Sequence, residues 1–439
     1  MWSAARRWVA GGMALCLLGA AQACGDGPEA GGSGPVVVEM WGWDPKYAKV
    51  ADKFNATHDK IQVKYVKQAD NPTTATNLRN VVKSGDGVPC LVQNFGELPG
   101  LLGEGLLADI TDQLKPHVDE KKFKDSAVAA AEIQGRFHGI PTGAEPAYMI
   151  INRKVYDQYG ISVPKTWDDV IAAGKALKPH GIQVMNLAGE DPSLLEQLVQ
   201  LAGGTWYSVE GDSWKVSFTS AESKKAAAVL QQLVDDDLVA NQTYQDRPAL
   251  IAYFDEGRMV SLPTNVWQLG NYQNNFTKTL GQWEPIALPQ YRDAAKYTTP
   301  AHSKPMIVAK GCPTLAEATE VGVWWSTSKD AIDASFDEKT GTYSWPGAVE
   351  DPSPWAESAV PQKLFGAYAS QAVDVWLKAA AAGVDTWVVG PNYTAVFKEL
   401  QDQWAKAVTK QITFEQLLEN MQRFTVDDLK TQGINVAGS

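Results

Sequence analysis

Short apolar runs of strand length alternate with amphipathic stretches of helix length along almost the whole chain, and this alternation limits the fold more than any other feature. Residues 36–41 read as a buried strand, after which Tyr47, Val50, Ala51 and Phe54 fall at i, i+3, i+4 and i+7, the stripe of an amphipathic helix. Ile61, Val63 and Tyr65 then alternate as a half-buried strand does. Further on, Thr166 and Asp169 have the spacing of a capping box before Val170, Ala173 and Leu177, and Pro179 with Gly181 ends that helix. Thr413 and Gln416 repeat the signal ahead of Phe414, Leu417, Leu418 and Met421. Strand-like runs at 91–93, 148–151, 183–186 and 259–262 sit between the helical stretches. The order predicts βαβ units, hence an α/β chain with mostly parallel sheets and flanking helices.

The N-terminus reads as an address. Arg6 and Arg7 precede an apolar stretch ending in Ala21, Gln22, Ala23 and Cys24, followed by a Gly-rich segment. Only 16 residues separate Arg7 from Cys24, whereas a membrane-spanning helix needs about 20. Residues 1–23 are therefore expected to be a signal peptide. Cys24 stands where bacterial lipoproteins carry a lipidated cysteine, although Ala21 replaces the usual Leu, and plain secretion is the alternative. Residues 24–34 would then be a lipidated tether, leaving the chain exported and anchored on the outer face of the cytoplasmic membrane. Of the four cysteines, Cys90 and Cys312 remain for the folded body, and in an oxidising compartment they are expected to bridge, two buried thiols being the other outcome.

Composition excludes several classes. The formal charge of −12, becoming −14 once residues 1–23 are removed, provides no basic footprint for nucleic acid. His58, His117, His138, His180 and His302 are scattered without metal-ligand spacing, so no metal is expected. Nucleophile-elbow, phosphate-loop and dinucleotide signatures are missing, and no cofactor is called for. A glycosidase needs only two placed carboxylates, so an exported carbohydrate-active enzyme, a glycosidase or lyase, stays as the rival reading. Asp235, Asp236 and Asp237 read as a solvated helix end rather than a catalytic cluster. A surface adhesin is the weakest class, because repeats and low-complexity stalks are missing.

Three stretches resemble the extracellular solute-binding proteins of ABC importers, in the sugar-binding group that includes maltose-binding protein. They are Gly139-Ile140-Pro141 through Tyr148, Asn152, Tyr156, Gly160, Pro164 and Thr166-Trp167-Asp168-Asp169; then Phe254-Asp255-Glu256-Gly257-Arg258-Met259 to Asn265-Val266-Trp267; and the tail from Phe397 to Met421. Leu106 to Ile110 adds a weaker match. The resemblance implies a two-lobe, periplasmic-binding-protein-like fold with a multi-crossover hinge. Residues 35–142 with 299–343 would form one lobe, and 143–298 with 344–439 the other. It also implies a monomer, not an enzyme, that captures a di- or oligosaccharide between the lobes and delivers it to membrane permease subunits.

Ligands in open α/β sheets gather at the carboxyl ends of strands. That rule alone selects Trp41, Trp43 and Asp44 after the first strand, Asn94 to Glu97 after 91–93, and Asn265 with Trp267 after 259–262. Flat indoles suit the C–H face of a sugar, and carboxylates and amides suit its hydroxyl rim. The supply of 16 Trp is large enough to place some outside the core. Trp43 also fits a packing role. The resemblance adds Glu145, Glu190 or Asp191, and Tyr393, and it makes Trp267 the stacking tryptophan.

Overall fold

In the computed structural model, which describes residues 34–93, 98–301, 303–384 and 387–438, the strand Val36–Gly42 lies between two parallel neighbours. Val36 faces Ile61 of the strand Ile61–Lys67, and Met40 faces Leu91 of Leu91–Val92. Met306–Val308 then pairs antiparallel with Leu91–Val92 and, on its other side, with Gly139–Ile140, completing a five-stranded sheet. Side chains alternate across it as the pleat requires. Met40, Leu91 and Val308 enter one apolar cluster with Phe54 of the helix Lys46–Thr57, while Trp41, Val92 and Ile307 enter another with Leu78 of the helix Asn71–Ser84.

A second sheet has Tyr148–Asn152 at its centre, buried at every position, with Ser261–Thr264 and Trp283–Ile286 antiparallel on its two sides. Met149 and Ile151 face one cluster, and Tyr148 and Ile150 the other. The α/β class holds, but pairing is mixed where mostly parallel sheets were expected. A central strand that is apolar on both faces reads the same whichever way its neighbours run, so patterning could not distinguish them. Both expected capping boxes form: Thr166 with Asp169 starts Trp167–Leu177, and Thr413 with Gln416 starts Phe414–Thr431. Asp236 and Asp237 pair with Lys175, Lys178 and Lys410 at the surface.

The chain passes between the clusters around the two sheets near residues 141–147, 300–305 and 343–348. These passes touch. Thr142 donates its hydroxyl to the Lys304 carbonyl. Gly143, at φ +73°, lies so close to Gly347 that a Cβ on it would fall 1.8 Å from the Gly347 carbonyl oxygen. Residues 1–33, including the expected leader, Cys24 and the tether, lie outside the described residues, as do Asn94 and Glu97. Among the described residues no helix is long and apolar enough to cross a membrane.

Cys90 and Cys312 are bridged. They adjoin the paired strands Leu91–Val92 and Met306–Val308, so the bond joins segments that the sheet has already brought together. Closing a loop of sequence separation 222 removes much unfolded-chain entropy. The double variant C90S/C312S should therefore lose about 2–5 kcal/mol in urea unfolding. A loss below about 1 kcal/mol would show that the bridge contributes little.

Candidate functional site

A cavity of about 1010 Å³ opens beside the first two of these passes and the ends of surrounding elements. Gly143, Glu145, Pro300 and Lys304 of the passes line it. The strand Ser261–Thr264 leads into it through Asn265, and Val266–Asn275 begins there. This helix lacks an ordinary cap, because the Asn265 side chain makes no capping hydrogen bond. Glu145 supplies the acceptor instead: its Oε2 takes the Trp267 backbone N–H at 2.9 Å. A carboxylate at a helix N-terminus satisfies an orphan donor and meets the positive end of the dipole. The contact fixes the backbone of Trp267 while leaving its side chain out in the opening, where the residue is 66% exposed. The amide oxygen of Asn265, excused from capping, is buried at the cavity without a partner.

Three helices contribute further lining. Asp191 lines the cavity, and its Oδ1 accepts the Ser193 N–H at the start of Ser193–Leu201. That helix adds Glu196 and Gln200, one turn apart. Tyr393 opens the helix Tyr393–Val408 and stacks on Phe397 one turn later, the ring centroids 5.4 Å apart. Thr76 and Arg79 of Asn71–Ser84 close the side, with Arg79 held by both oxygens of Glu104 at 2.8 Å.

Of the residues selected from sequence, the structure thus brings together Glu145, Asp191, Asn265, Trp267 and Tyr393. Glu190 stands behind the wall. Its Oε1 accepts from the Thr243 hydroxyl and the Tyr244 N–H, both at 2.6 Å, and so sets Tyr244, which does line the cavity. Trp41 lies elsewhere: the first strand runs on to Gly42, so Trp41 is within the sheet, 7% exposed, its indole donating to Glu39. Trp43 and Asp44 do not border the cavity either. The Gln93 side-chain oxygen accepts from both of their backbone N–H groups, and Asp44 Oδ1 accepts from the Lys46 N–H. Trp43 packs on the Leu78 cluster, which is its alternative role. The charge of Asp44 still reaches Glu145.

Sequence reading missed Glu196, Gln200, Tyr244, Phe397 and Lys304. Tyr244 had a usable signal. The short strand Val239–Ala240 runs parallel to Met185–Asn186, so its end opens on the same side. Glu196 and Gln200 had none, being polar positions on an amphipathic helix that elsewhere would face water.

Two carboxyl groups here are strongly perturbed. Burial pushes Glu145 up to about 7, against the pull of the Trp267 N–H, Lys304 and Lys46. Burial and the neighbouring Asp191 push Glu196 up to about 8, against Lys304. Among the described residues no cluster of His, Cys, Asp and Glu could hold a metal ion.

The native state keeps the Glu145 proton until about pH 7, whereas the unfolded chain releases it near the ordinary value of roughly 4.3. The unfolded state binds fewer protons across that window, so this group lowers stability as pH rises through it. E145Q should be more stable than wild type by on the order of 2 kcal/mol at pH 8 and equal to it at pH 4. Denaturant titrations giving the same difference at both pH values would contradict the placement of this carboxyl.

The profile of a family described as bacterial extracellular solute-binding protein matches residues 49–363. The arabinooligosaccharide-binding protein of Halalkalibacterium halodurans is 24% identical over 225 residues, 49% of this chain and 49% of that protein. The lactose-binding protein of Rhizobium radiobacter is 25% identical over 268 residues, 58% of this chain and 61% of that one. The chain thus spans about half to three-fifths of the curated relatives it matches. The galacto-N-biose/lacto-N-biose I-binding protein of a Bifidobacterium longum ABC transporter, solved with lacto-N-biose, superposes with a TM-score of 0.79 at 24% identity, covering 93% of this chain and 100% of that one. At that identity the likeness speaks for the fold.

Proposed function

The chain belongs to the bacterial extracellular solute-binding protein family, and from that premise we propose that it captures a di- or oligosaccharide for an ABC importer. The observation that carries this reading is Trp267, an exposed residue whose backbone N–H is held by Glu145 beside a cavity lined by acids and amides. An indole face covers sugar C–H groups, and the surrounding carboxyls and amides address the hydroxyls. The volume, about 1010 Å³, lies at the top of the roughly 300–1,000 Å³ usual for ligand pockets, which favours more than one ring. Relatives whose names specify arabinooligosaccharide and lactose support the same class. The ligand-binding residues in this reading are Glu145, Asp191, Asn265, Trp267 and Tyr393, with Glu190 positioning Tyr244.

Residues 35–142 with 299–343 act as one lobe and 143–298 with 344–439 as the other. Arg79 and Lys304 from the first and Trp267, Asp191 and Tyr393 from the second line the same cavity, as a cleft between lobes requires. Sugar that contacts both sides stabilises the closed form by its preferential affinity for it, and the closed monomer presents a joint surface to the permease. Trp43 and Asp44 approach the ligand on closure. Cys24 carries the lipid that keeps the protein at the membrane. The rival reading as a carbohydrate-active enzyme gives way to the family, whose members bind solutes.

Intrinsic tryptophan fluorescence, titrated with lactose, lacto-N-biose and arabinooligosaccharides, should saturate with at least one of them at micromolar Kd or tighter. W267A should weaken that binding by about tenfold or more, as truncation of an aromatic anchor does. Silence across the panel would contradict sugar capture. Separately, C24S should move the protein from the membrane fraction to the soluble exported fraction, and undiminished membrane retention would contradict the lipid anchor.

A further inference from the structure

The helix Ser193–Leu201 sets Glu196 and Gln200 one turn apart on a face that borders the cavity, and Asp191 borders it just before the helix. Gln200 is 4% exposed, yet its side-chain oxygen has no hydrogen-bond partner. A buried acceptor left unpaired in a cavity wall implies a donor that arrives with the ligand. Among the described residues no hydrogen bond or ion pair holds the Glu196 carboxyl, which feels Asp191 and Lys304. Other charged and titratable groups stand around this corner. Tyr207 feels Glu196 but donates its hydroxyl to Asn392, and Arg79 is tied to Glu104. The helix Ala221–Asp235, packed behind, directs Lys224 and Lys225 to Glu415 and Asp293. Lys398 lines the cavity from the helix Tyr393–Val408.

Resting on the capture reading above, we propose that Asp191, Glu196 and Gln200 form a hydroxyl-reading subsite in which Glu196 acts as a neutral acid, donating its proton to a sugar oxygen. A sugar hydroxyl both donates and accepts. With Glu196 ionised, the two carboxylates and the Gln200 carbonyl would present only acceptor oxygens, leaving the Gln200 amide nitrogen as the one donor among the three side chains. With Glu196 protonated, one hydroxyl accepts from its carboxyl O–H and donates to Asp191 or to the Gln200 carbonyl. Burial and the adjacent Asp191 charge hold the proton on Glu196 up to about pH 8, so the neutral form prevails at physiological pH.

Affinity for a sugar that saturates the protein, lactose or lacto-N-biose, should then fall as Glu196 ionises. When only the protonated form is competent, the apparent Kd rises by about tenfold between pH 7 and pH 9. Titrations of wild type, E145Q and E196Q over pH 6–9.5, with circular dichroism to verify folding, test this. The decline should persist in E145Q, because that acid titrates nearer 7. In E196Q, whose amide donates at every pH, the ratio of Kd values at pH 9 and pH 7 should fall below about twofold. A flat wild-type profile, or a decline that survives E196Q, overturns the subsite while leaving sugar capture standing. Failure of these sugars to bind at any pH overturns the capture reading and this subsite with it.

Discussion

The close packing of three chain passes is the constraint on which the rest of the molecule depends. Gly143 and Gly347 meet with no room for a side chain on either, and Thr142 is bonded to the Lys304 carbonyl. A Cβ at Gly143 would collide with backbone, which cannot step aside as a flexible side chain can, and its positive φ disfavours other residues besides. Because the passes approach this closely, their residues can form the floor of the cavity: Gly143, Glu145 and Lys304 all border it. In the proposed two-lobe arrangement the same passes would be the pivot, so the position of the binding groups and the freedom of the lobes would come from the same stretches of backbone.

From that floor the site is assembled by substitution of roles. Asn265 sits at a helix N-cap position, where an amide oxygen normally takes a backbone N–H in the first turn. Glu145 takes that N–H instead, from 122 residues earlier in the chain. One exchange ties the crossover to the tryptophan helix, frees the Asn265 oxygen toward the cavity and surrounds a carboxyl with low-dielectric protein. Elsewhere in the cavity lining, Glu196 is raised by burial and by Asp191. Two acids are thus poised to titrate where a neutral ligand would sit, a concentration of perturbed groups of the kind that marks functional sites.

Local signals were legible in the sequence and nonlocal ones were not. Capping boxes at Thr166 and Thr413, the stripe ending at Phe54 and the buried runs around Leu91 and Tyr148 depend on neighbours in the chain, and each forms. Strand direction depends on partners hundreds of residues away, which is why Met306–Val308 entered its sheet antiparallel against expectation. The strand-end rule reached Asn265 and Trp267 at the cavity, whereas Trp41 lies away from it, because the first strand continues one residue beyond it and Trp41 packs in the cluster with Leu78. Glu196 and Gln200 escaped because nothing local distinguishes a helix face turned to a cavity from one turned to solvent.

The most direct test of the central claim is a crystal structure of the chain grown with a saturating disaccharide. The account predicts a sugar ring stacked in van der Waals contact with the Trp267 indole, its hydroxyls within hydrogen-bond distance of Glu145 and Asp191. Sugar bound elsewhere, with the Trp267 face still bare, would contradict it.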